Sequence, residues 1–587
     1  MSTVIEIRRR TPVSNALSVP NSLAEPASSY AAETLNPIIQ RVYAHRGVQS
    51  MDELDLSVRG LAHVQLLTDA DKAAARIAVA LQQQQRICIC GDFDADGATS
   101  VALLMSFFRD IGYQYGFYLV PNRFADGYGL SANLVEHAYQ QGANLIITVD
   151  NGISSHAGVE RANQLGIDVL ITDHHLPGPE LPEAYAIVNP NRRDCAFPSK
   201  NLAGVGVAFY ILLALRSWFR AEQPQHAVAH INIAHYLDLV AVGTVADVVP
   251  LDYNNRILVK QGLARIREQR CRPGILALLA VSRREVASIT ATDLGFAVGP
   301  RINAAGRLDD IQLGIQCLLA EDYPQAQILA LRLDELNQQR RHIEADMQED
   351  AAQCVQRLQF NDQQLPTILA LHDASFHQGV IGIVAGRLKE QLHRPVLIFA
   401  TGDDGELKGS CRSIPGVHMR DLLEQVHSNA PGVIRKFGGH AMAAGLTVAQ
   451  ERWPEFLQVL EQTASRWVRE EHLARVIWSD GELAADEFTV PLATSLQQAG
   501  PWGQAFPEPM FDGEFVVVQE RWLKDVHLKL VLQPVGSKVC VDAIAFNVPR
   551  AAWQWRSPQR ARFVYKLAVN EFRGQRNVQL MIEHVAP

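Results

Sequence analysis

Ile87-Cys88-Ile89-Cys90-Gly91-Asp92-Phe93-Asp94-Ala95-Asp96-Gly97 is the stretch that decides the fold. Four apolar side chains run without interruption and then stop at three carboxylates on alternate positions. A run that is apolar on both faces reads as a buried parallel strand, and the C-terminal end of such a strand opens onto a ligand site. Three further runs end the same way: Leu145–Val149 at Asp150-Asn151-Gly152, Val169–Thr172 at Asp173-His174-His175, and Leu239–Val245 at Asp247. Aligned in one sheet, these ends gather five or more oxygen and nitrogen donors. Carboxylates packed this closely repel one another unless divalent metal lies between them. Asp92, Asp94 and Asp96 are expected on one short loop, with Gly97 allowing a tight turn into a helix starting near Ala98. The imidazoles of His174 and His175 suit manganese better than calcium, and a two-metal site accounts for both kinds of donor.

Around this core the chain is too long, at 587 residues, for a single hydrophobic centre. Residues 1–35 are Ser/Ala/Pro-rich and expected to be loosely ordered. Alternating strand and helix patterns over 36–319 predict a doubly wound α/β domain carrying the acidic site. Leu329, Leu333, Leu336, Ile343 and Met347 recur at helical spacing, so 320–358 is expected to be a long connecting helix. A second, smaller α/β domain follows over 359–469, and short β-type runs over 470–587 predict an all-β barrel of the OB type.

Composition excludes several classes. No stretch reaches the length of a membrane span and the N-terminal segment lacks an apolar signal core, so a cytoplasmic protein without membrane contact is expected. Eight cysteines without a Cys-x-x-Cys pair predict reduced thiols and argue against structural zinc. The net charge of −9 hides an asymmetry: from Arg521 onward there are eleven Lys/Arg against four Asp/Glu, a net of +7. Seven aromatics lie in that basic segment, the mixture wanted for stacking bases while tracking a phosphate backbone. Most should be barrel core; Trp553 and Trp555, flanked by Arg550 and Arg556, are expected to be exposed.

Two more groups carry chemistry. Arg301, Asn303 and Arg307 sit in a Gly/Ala-rich stretch, read as a loop whose small residues let the backbone approach a ligand, or alternatively as an Arg–carboxylate staple. Ser410, Arg412, Ser413 and His440, beside Gly409, Gly438 and Gly439, suit a pocket that grips a phosphate or terminal nucleotide, with Ser375 and His377 adding to its wall.

In order and spacing, Asp94-Ala95-Asp96, Asp150-Asn151, Asp173-His174-His175 and Asp247 resemble the motifs of the DHH phosphoesterase family. The resemblance extends over nearly the whole chain, through Pro121–Phe124, Gly127–Leu130, Gly299–Arg307, Gly409–Ser413 and Gly438–His440, and is strongest to the branch that degrades single-stranded DNA from the 5′ end. It implies a DHH domain over 36–319, a DHH-associated domain over 359–469 and a nucleic-acid-binding barrel. It implies metal ligands Asp94, Asp96, Asp150, His174 and Asp247, with Asp150 bridging two Mn²⁺ or Mg²⁺ ions. Asp92 and His175 are then ligands or orienters of ligands, and with Arg301 and Asn303 make up the expected catalytic set. Arg123, Arg307, Ser375, His377, Ser410, Arg412, Ser413, Gly438, Gly439, His440, Trp553 and Trp555 are the expected substrate contacts. The family also implies work in DNA recombination and repair, single-strand-binding protein and a helicase as partners, and a monomer. Two alternatives remain at this point: a DHH phosphatase for short oligonucleotides or nucleotides, and a nuclease-inactive DNA-binding scaffold. Intact carboxylates at every ligand position argue against the scaffold, and the basic β-domain against the phosphatase.

Overall fold

Three of the four acid-terminated runs lie in one parallel sheet. A computed structural model describes residues 5–13, 35–121, 129–362, 366–402, 405–548 and 560–586. Strands β2 (Ile87–Cys90), β3 (Gly116–Leu119), β4 (Leu145–Val149), β5 (Asp168–Thr172) and β6 (Ala186–Val188) are all parallel, in the order β3-β2-β4-β5-β6. The order reverses between β2 and β4, the switch point at which open α/β sheets bind ligands. Residues 92–96 and Asp150 follow directly from the ends of those two strands. Both faces are covered. The helices Ala132–Gln140 and Ala95–Asp110 are among those that pack against the sheet, and β2, β4 and β5 are buried almost throughout, which explains their uninterrupted apolar runs.

The fourth run departs from expectation: Leu237–Ala246 is an α-helix. A short run that is apolar on all sides has no period to separate strand from helix, and here it is a helix buried from Leu237 to Thr244. Gly299–Leu308, expected as a loop, is also an α-helix. Its small residues serve close packing: a Cβ on Gly306 would lie 1.9 Å from the Phe93 carbonyl oxygen. The first acidic helix starts at Ala95, not near Ala98, because Asp94 caps it.

The helix Gly204–Glu222 is long and apolar enough to cross a membrane, but two thirds of its apolar window is buried inside the protein. The connecting helix is a single element, Tyr323–Asp362, about 60 Å long, with Pro324 in its first turn.

The chain divides into two compact units. One comprises Arg9–Gly306, Asp310–Asp334 and Trp478–Pro587; the other Met1–Arg8, Arg307–Asp309 and Glu335–Ile477. The second unit holds a five-stranded sheet of β7 (Leu369–His372), β8 (Val396–Thr401), β9 (Glu406–Arg412), β10 (Ile434–Gly439) and β11 (Ala443–Ala449), ordered β10-β11-β9-β8-β7. At the N-terminus β1 (Ile5–Arg9) pairs with β12 (Arg475–Ser479), which corrects the expectation of a loosely ordered start for these five residues. The alternation of Ile5 and Ile7 with charged neighbours is the strand signal.

In the first unit β13 (Phe511–Leu523), β14 (His527–Pro534), β15 (Val541–Ala545), β16 (Arg560–Phe572) and β17 (Gln575–Ala586) close into a barrel. Phe511, Phe515, Phe563 and Tyr565 fill its core, while Phe546 and Phe572 are exposed. Trp553 and Trp555 lie outside the described residues, as does Arg123. The barrel segment is fixed to the parallel-sheet domain by buried polar contacts. Arg46 makes a two-pronged pair with Asp480 at 2.9 and 3.0 Å, the Tyr43 hydroxyl donates to the Ala499 carbonyl at 2.8 Å, and the Arg256 guanidinium stacks 4.4 Å from the Phe506 ring centroid.

Candidate metal centre

Each predicted ligand has a local reason for its position. Asp94 is the N-cap of the helix Ala95–Asp110, and its carboxylate accepts from the Asp96 and Gly97 amides at 2.9 and 3.1 Å. Gly97 has an ordinary helical backbone; it is needed because a Cβ there would lie 2.6 Å from the backbone of Asp92. Asp96 is 1% exposed, and its two oxygens accept from the Gly204 and Val205 amides at 2.6 and 2.9 Å. The N-terminus of an apolar core helix thus holds the carboxylate of a candidate ligand. Asp150 takes the left-handed conformation at φ +62°, held by Asn151, whose side-chain amide donates to the Cys90 and Val149 carbonyls at 3.1 and 2.9 Å. Asp247 is the C-cap of the helix Leu237–Ala246.

These side chains meet around one imidazole. His174 Nε2 lies 3.1 Å from Asp150 Oδ1, 3.4 Å from Asp247 Oδ2 and 4.0 Å from Asp96 Oδ2. Asp92 and Asp94 share a triad of donor atoms with Asp150, all within 4.8 Å of one another, and Asp150, His174 and His175 form another. The buried carboxylates repel one another. Burial and then the neighbouring Asp94 push the Asp96 carboxyl up to about 7. Burial, Asp96, Asp94 and Asp247 push Asp150 well above the usual carboxylate range, and Asp247 is raised by burial, Asp96 and Asp94. Divalent ions would remove this repulsion, and the carboxylate–imidazole donor set fits Mn²⁺ or Mg²⁺.

Asp173 organises the two histidines, a role that reading the sequence missed. One of its oxygens accepts from the backbone amides of His174 and His175 at 2.7 and 3.1 Å and contacts His175 Nδ1 at 2.8 Å, and the other accepts from the Ile153 amide at 2.9 Å. Burial opposes ionisation, but the His175 contact and both imidazoles outweigh it and hold Asp173 at about 2. The same contact, against burial, lifts His175 to about 9. Asn189 and Asn191 complete the frame by donating to the His175 and His174 carbonyls at 2.9 and 2.5 Å. Their signal was available: Ala186-Ile187-Val188 is another apolar run that ends in polar residues, Asn189-Pro190-Asn191.

The remaining expected residues fall into two places. In the first unit, the Arg301 guanidinium engages Asp334 and the Ala297 carbonyl, and Asn303 Oδ1 accepts from the Ala95 amide at 2.8 Å, bracing the acidic loop. In the second unit, Ser410 and Arg412 lie on one face of β9, and Arg412 donates to Ser410 Oγ at 3.2 Å and to the Cys411 carbonyl at 2.8 Å. Ser410 pairs with Gly445 and Gly445 with Gly438, and a Cβ on Gly438 would meet nothing within 4 Å, so the middle of this face is flat. Gly439, at φ +138°, turns the chain towards His440, which is exposed. Ser413 is buried and its hydroxyl donates to the Val417 carbonyl at 2.6 Å, a packing role. Ser375 hydrogen-bonds Asp373, His377 Nδ1 accepts from the Gly379 amide at 3.1 Å, and Arg307 donates to the Gly379 carbonyl at 3.1 Å.

Comparison with known proteins agrees with this layout. Residues 86–244 match the DHH family N-terminal domain, 364–466 the DHHA1 domain and 479–584 the RecJ OB domain. The chain is 52% identical over 593 aligned residues to the single-stranded-DNA-specific exonuclease RecJ of Dickeya dadantii, covering 100% of both chains. The chain belongs to the RecJ family. Identity to RecJ of Escherichia coli is 51%, over 94% of this chain and 96% of the relative. The crystal structure of RecJ from Thermus thermophilus in complex with Mn²⁺ superposes with a TM-score of 0.77 at 28% identity, covering 94% of this chain and 76% of that one; the Mg²⁺ complex gives 0.70 at 26% identity, covering 94% and 74%. Those RecJ complexes hold Mn²⁺ and Mg²⁺, and the donor clusters around Asp150 and His174 could hold a metal ion here.

Proposed function

We propose that this RecJ-family protein hydrolyses single-stranded DNA from the 5′ end, one nucleotide at a time, at a two-metal centre held by Asp94, Asp96, Asp150, His174 and Asp247. The observation that carries the reading is the convergence of Asp96, Asp150 and Asp247 on His174 Nε2 within 4.0 Å. Divalent ions bound there would supply charge neutralisation for the phosphate and a more acidic water. The protein's own part is placement. Asp173, Asn189 and Asn191 orient the imidazoles, Asn303 braces the acidic loop, and the Gly204 and Val205 amides fix Asp96. Asp92 and His175 serve as ligands or as groups that orient them.

The flat face around Gly438 and Gly445, edged by Ser410 and Arg412, is the proposed seat of the terminal phosphate, with Arg307, Ser375, His377, Gly439 and His440 in supporting roles. The closed basic barrel is the proposed platform for the rest of the strand, with Arg123, Trp553 and Trp555 as further contacts. A phosphatase of short substrates has no use for such a platform. Work in recombination and repair, as a cytoplasmic monomer alongside single-strand-binding protein and a helicase, completes the proposal.

The decisive experiment incubates 5′- and 3′-labelled single strands and duplex with Mn²⁺, Mg²⁺ or chelator. Mononucleotides should be released first from the 5′ label, from single strands only, and not under chelation. Release beginning at the 3′ label, or equal attack on duplex, would refute the proposed polarity or specificity.

A further inference from the structure

Phe296 is 72% exposed, the most exposed aromatic among the described residues, although Leu294, Ala297 and Val298 beside it are buried. It lies on the single π-helical turn Leu294–Val298 that leads into the helix Gly299–Leu308. Such turns break the facing of an α-helix and collect at functional sites. This one is pressed onto the last turn of the helix that Asp247 caps: a Cβ on Gly295 would lie 3.2 Å from Val245 Cγ1, and one on Gly299 3.0 Å from Ala246 Cβ. The residue after Asp247 is equally unusual. Val248 is 62% exposed and left-handed at φ +61°, a strained conformation for a β-branched side chain. Two apolar side chains are thus exposed near Asp247, one directly after it in the chain and one on the turn packed against the helix that it caps.

We propose that Phe296, with Val248, is a seat for a nucleobase of the strand whose phosphate is engaged at the acidic centre. The proposal rests on the reading of that centre as the hydrolytic site for single-stranded DNA. The occupant follows from position: a phosphate among Asp150, His174 and Asp247 carries a sugar and base into the space beside the helix ending at Ala246. An unpaired base offers an apolar face that an exposed phenyl ring can cover whatever the sequence. The contact would position each successive nucleotide without selecting among bases, as an enzyme that must degrade any strand requires.

The test uses the full-length protein with Mn²⁺ and two oligonucleotides, one natural and one with tetrahydrofuran abasic residues at the first four positions of the attacked end. Phe296→Ala should raise KM on the natural strand about tenfold, the size of one lost stacking contact. Phe296→Trp should restore it. On the abasic strand the unmodified protein should already show the raised KM, and Phe296→Ala should add nothing. Val248→Asn, which tolerates the left-handed backbone, should raise KM about threefold on the natural strand only. Equal losses on both strands, or no loss on either, would overturn base seating. Failure of the underlying reading shows itself separately, as Asp150→Ala retaining hydrolysis of both strands.

Discussion

Gly204 and Asp150 pack so closely that a Cβ on the glycine would lie 2.5 Å from the Asp150 Cβ. The residue that donates its amide to Asp96 thereby also sets the wall against which Asp150 rests. Gly204→Ala must push one ligand or the other aside. Displacement of a reacting group by about 1 Å costs on the order of 100-fold, so kcat should fall by about that factor with KM little changed. Steady-state kinetics on an oligonucleotide check this, and a near-normal kcat would show that the contact has slack.

Asp150 separates stability from activity. Without metal its carboxylate is repelled by Asp96, Asp94 and Asp247. Asp150→Asn removes a carboxyl that must take up a proton to be buried there without metal, so at neutral pH the metal-free variant should melt higher than the metal-free parent, by on the order of 1 kcal/mol. Turnover should be abolished, and the Mn²⁺-induced rise in Tm should shrink or vanish. Calorimetric melts with and without Mn²⁺ read all of this.

Arg412 is buried enough that desolvation lowers its pKa, yet among the described residues it donates to a hydroxyl and a carbonyl, both neutral. An anion beside it would complete the site. Arg412→Ala should weaken attack on 5′-phosphorylated strands by about 1.5–3 kcal/mol, the value of charged hydrogen bonds, and affect 5′-hydroxyl strands less. The comparison is a kcat/KM ratio on the two substrates; equal losses would assign Arg412 to packing.

Asp480 ties the barrel segment to the parallel-sheet domain. Burial raises its pKa, but His45 and Arg46 more than offset this and hold it at about 2. A carboxyl depressed in the folded state adds stability that is fully present above its ordinary pKa near 3.8 and is lost as pH falls towards 2. Asp480→Asn should therefore cost about 2 kcal/mol at neutral pH, and the difference should close below about pH 4. Denaturant titrations across that range provide the measurement. The same pair warns against cutting the chain near Glu470 to isolate the nuclease domain, since the cut strands Arg46, which is almost fully buried.

Much of this architecture was legible because burial on both faces forces a strand to be apolar throughout, so β2, β4 and β5 announced themselves and their acidic ends. The Leu239–Val245 run misled for the same reason: with apolar residues on every side, a buried helix and a buried strand look alike. Gly299–Leu308 read as a loop whose small residues let the backbone approach a ligand, whereas in the helix they let it approach the protein's own backbone, as Gly306 against Phe93 shows. Asp173 was quoted in a motif yet given no task, since whether a carboxylate points at a metal or at backbone amides depends on the turn, which spacing does not encode. Asn189 and Asn191 follow an apolar run as the acidic motifs do, but the contact of Gly204 with Asp96 joins residues distant in sequence and is visible only in the fold.

The barrel closes on itself, β17 pairing with both β15 and β16. Every strand of that ring has a neighbour on each side, and the outer lengths of β13, β16 and β17 run beyond their second partner. A sheet with an open flank invites other polypeptides to add to it, and that risk grows where many copies gather on one polymer. Closure leaves neighbouring chains little to extend, a property that a platform for long nucleic acid, as proposed for this domain, would need at high local concentration.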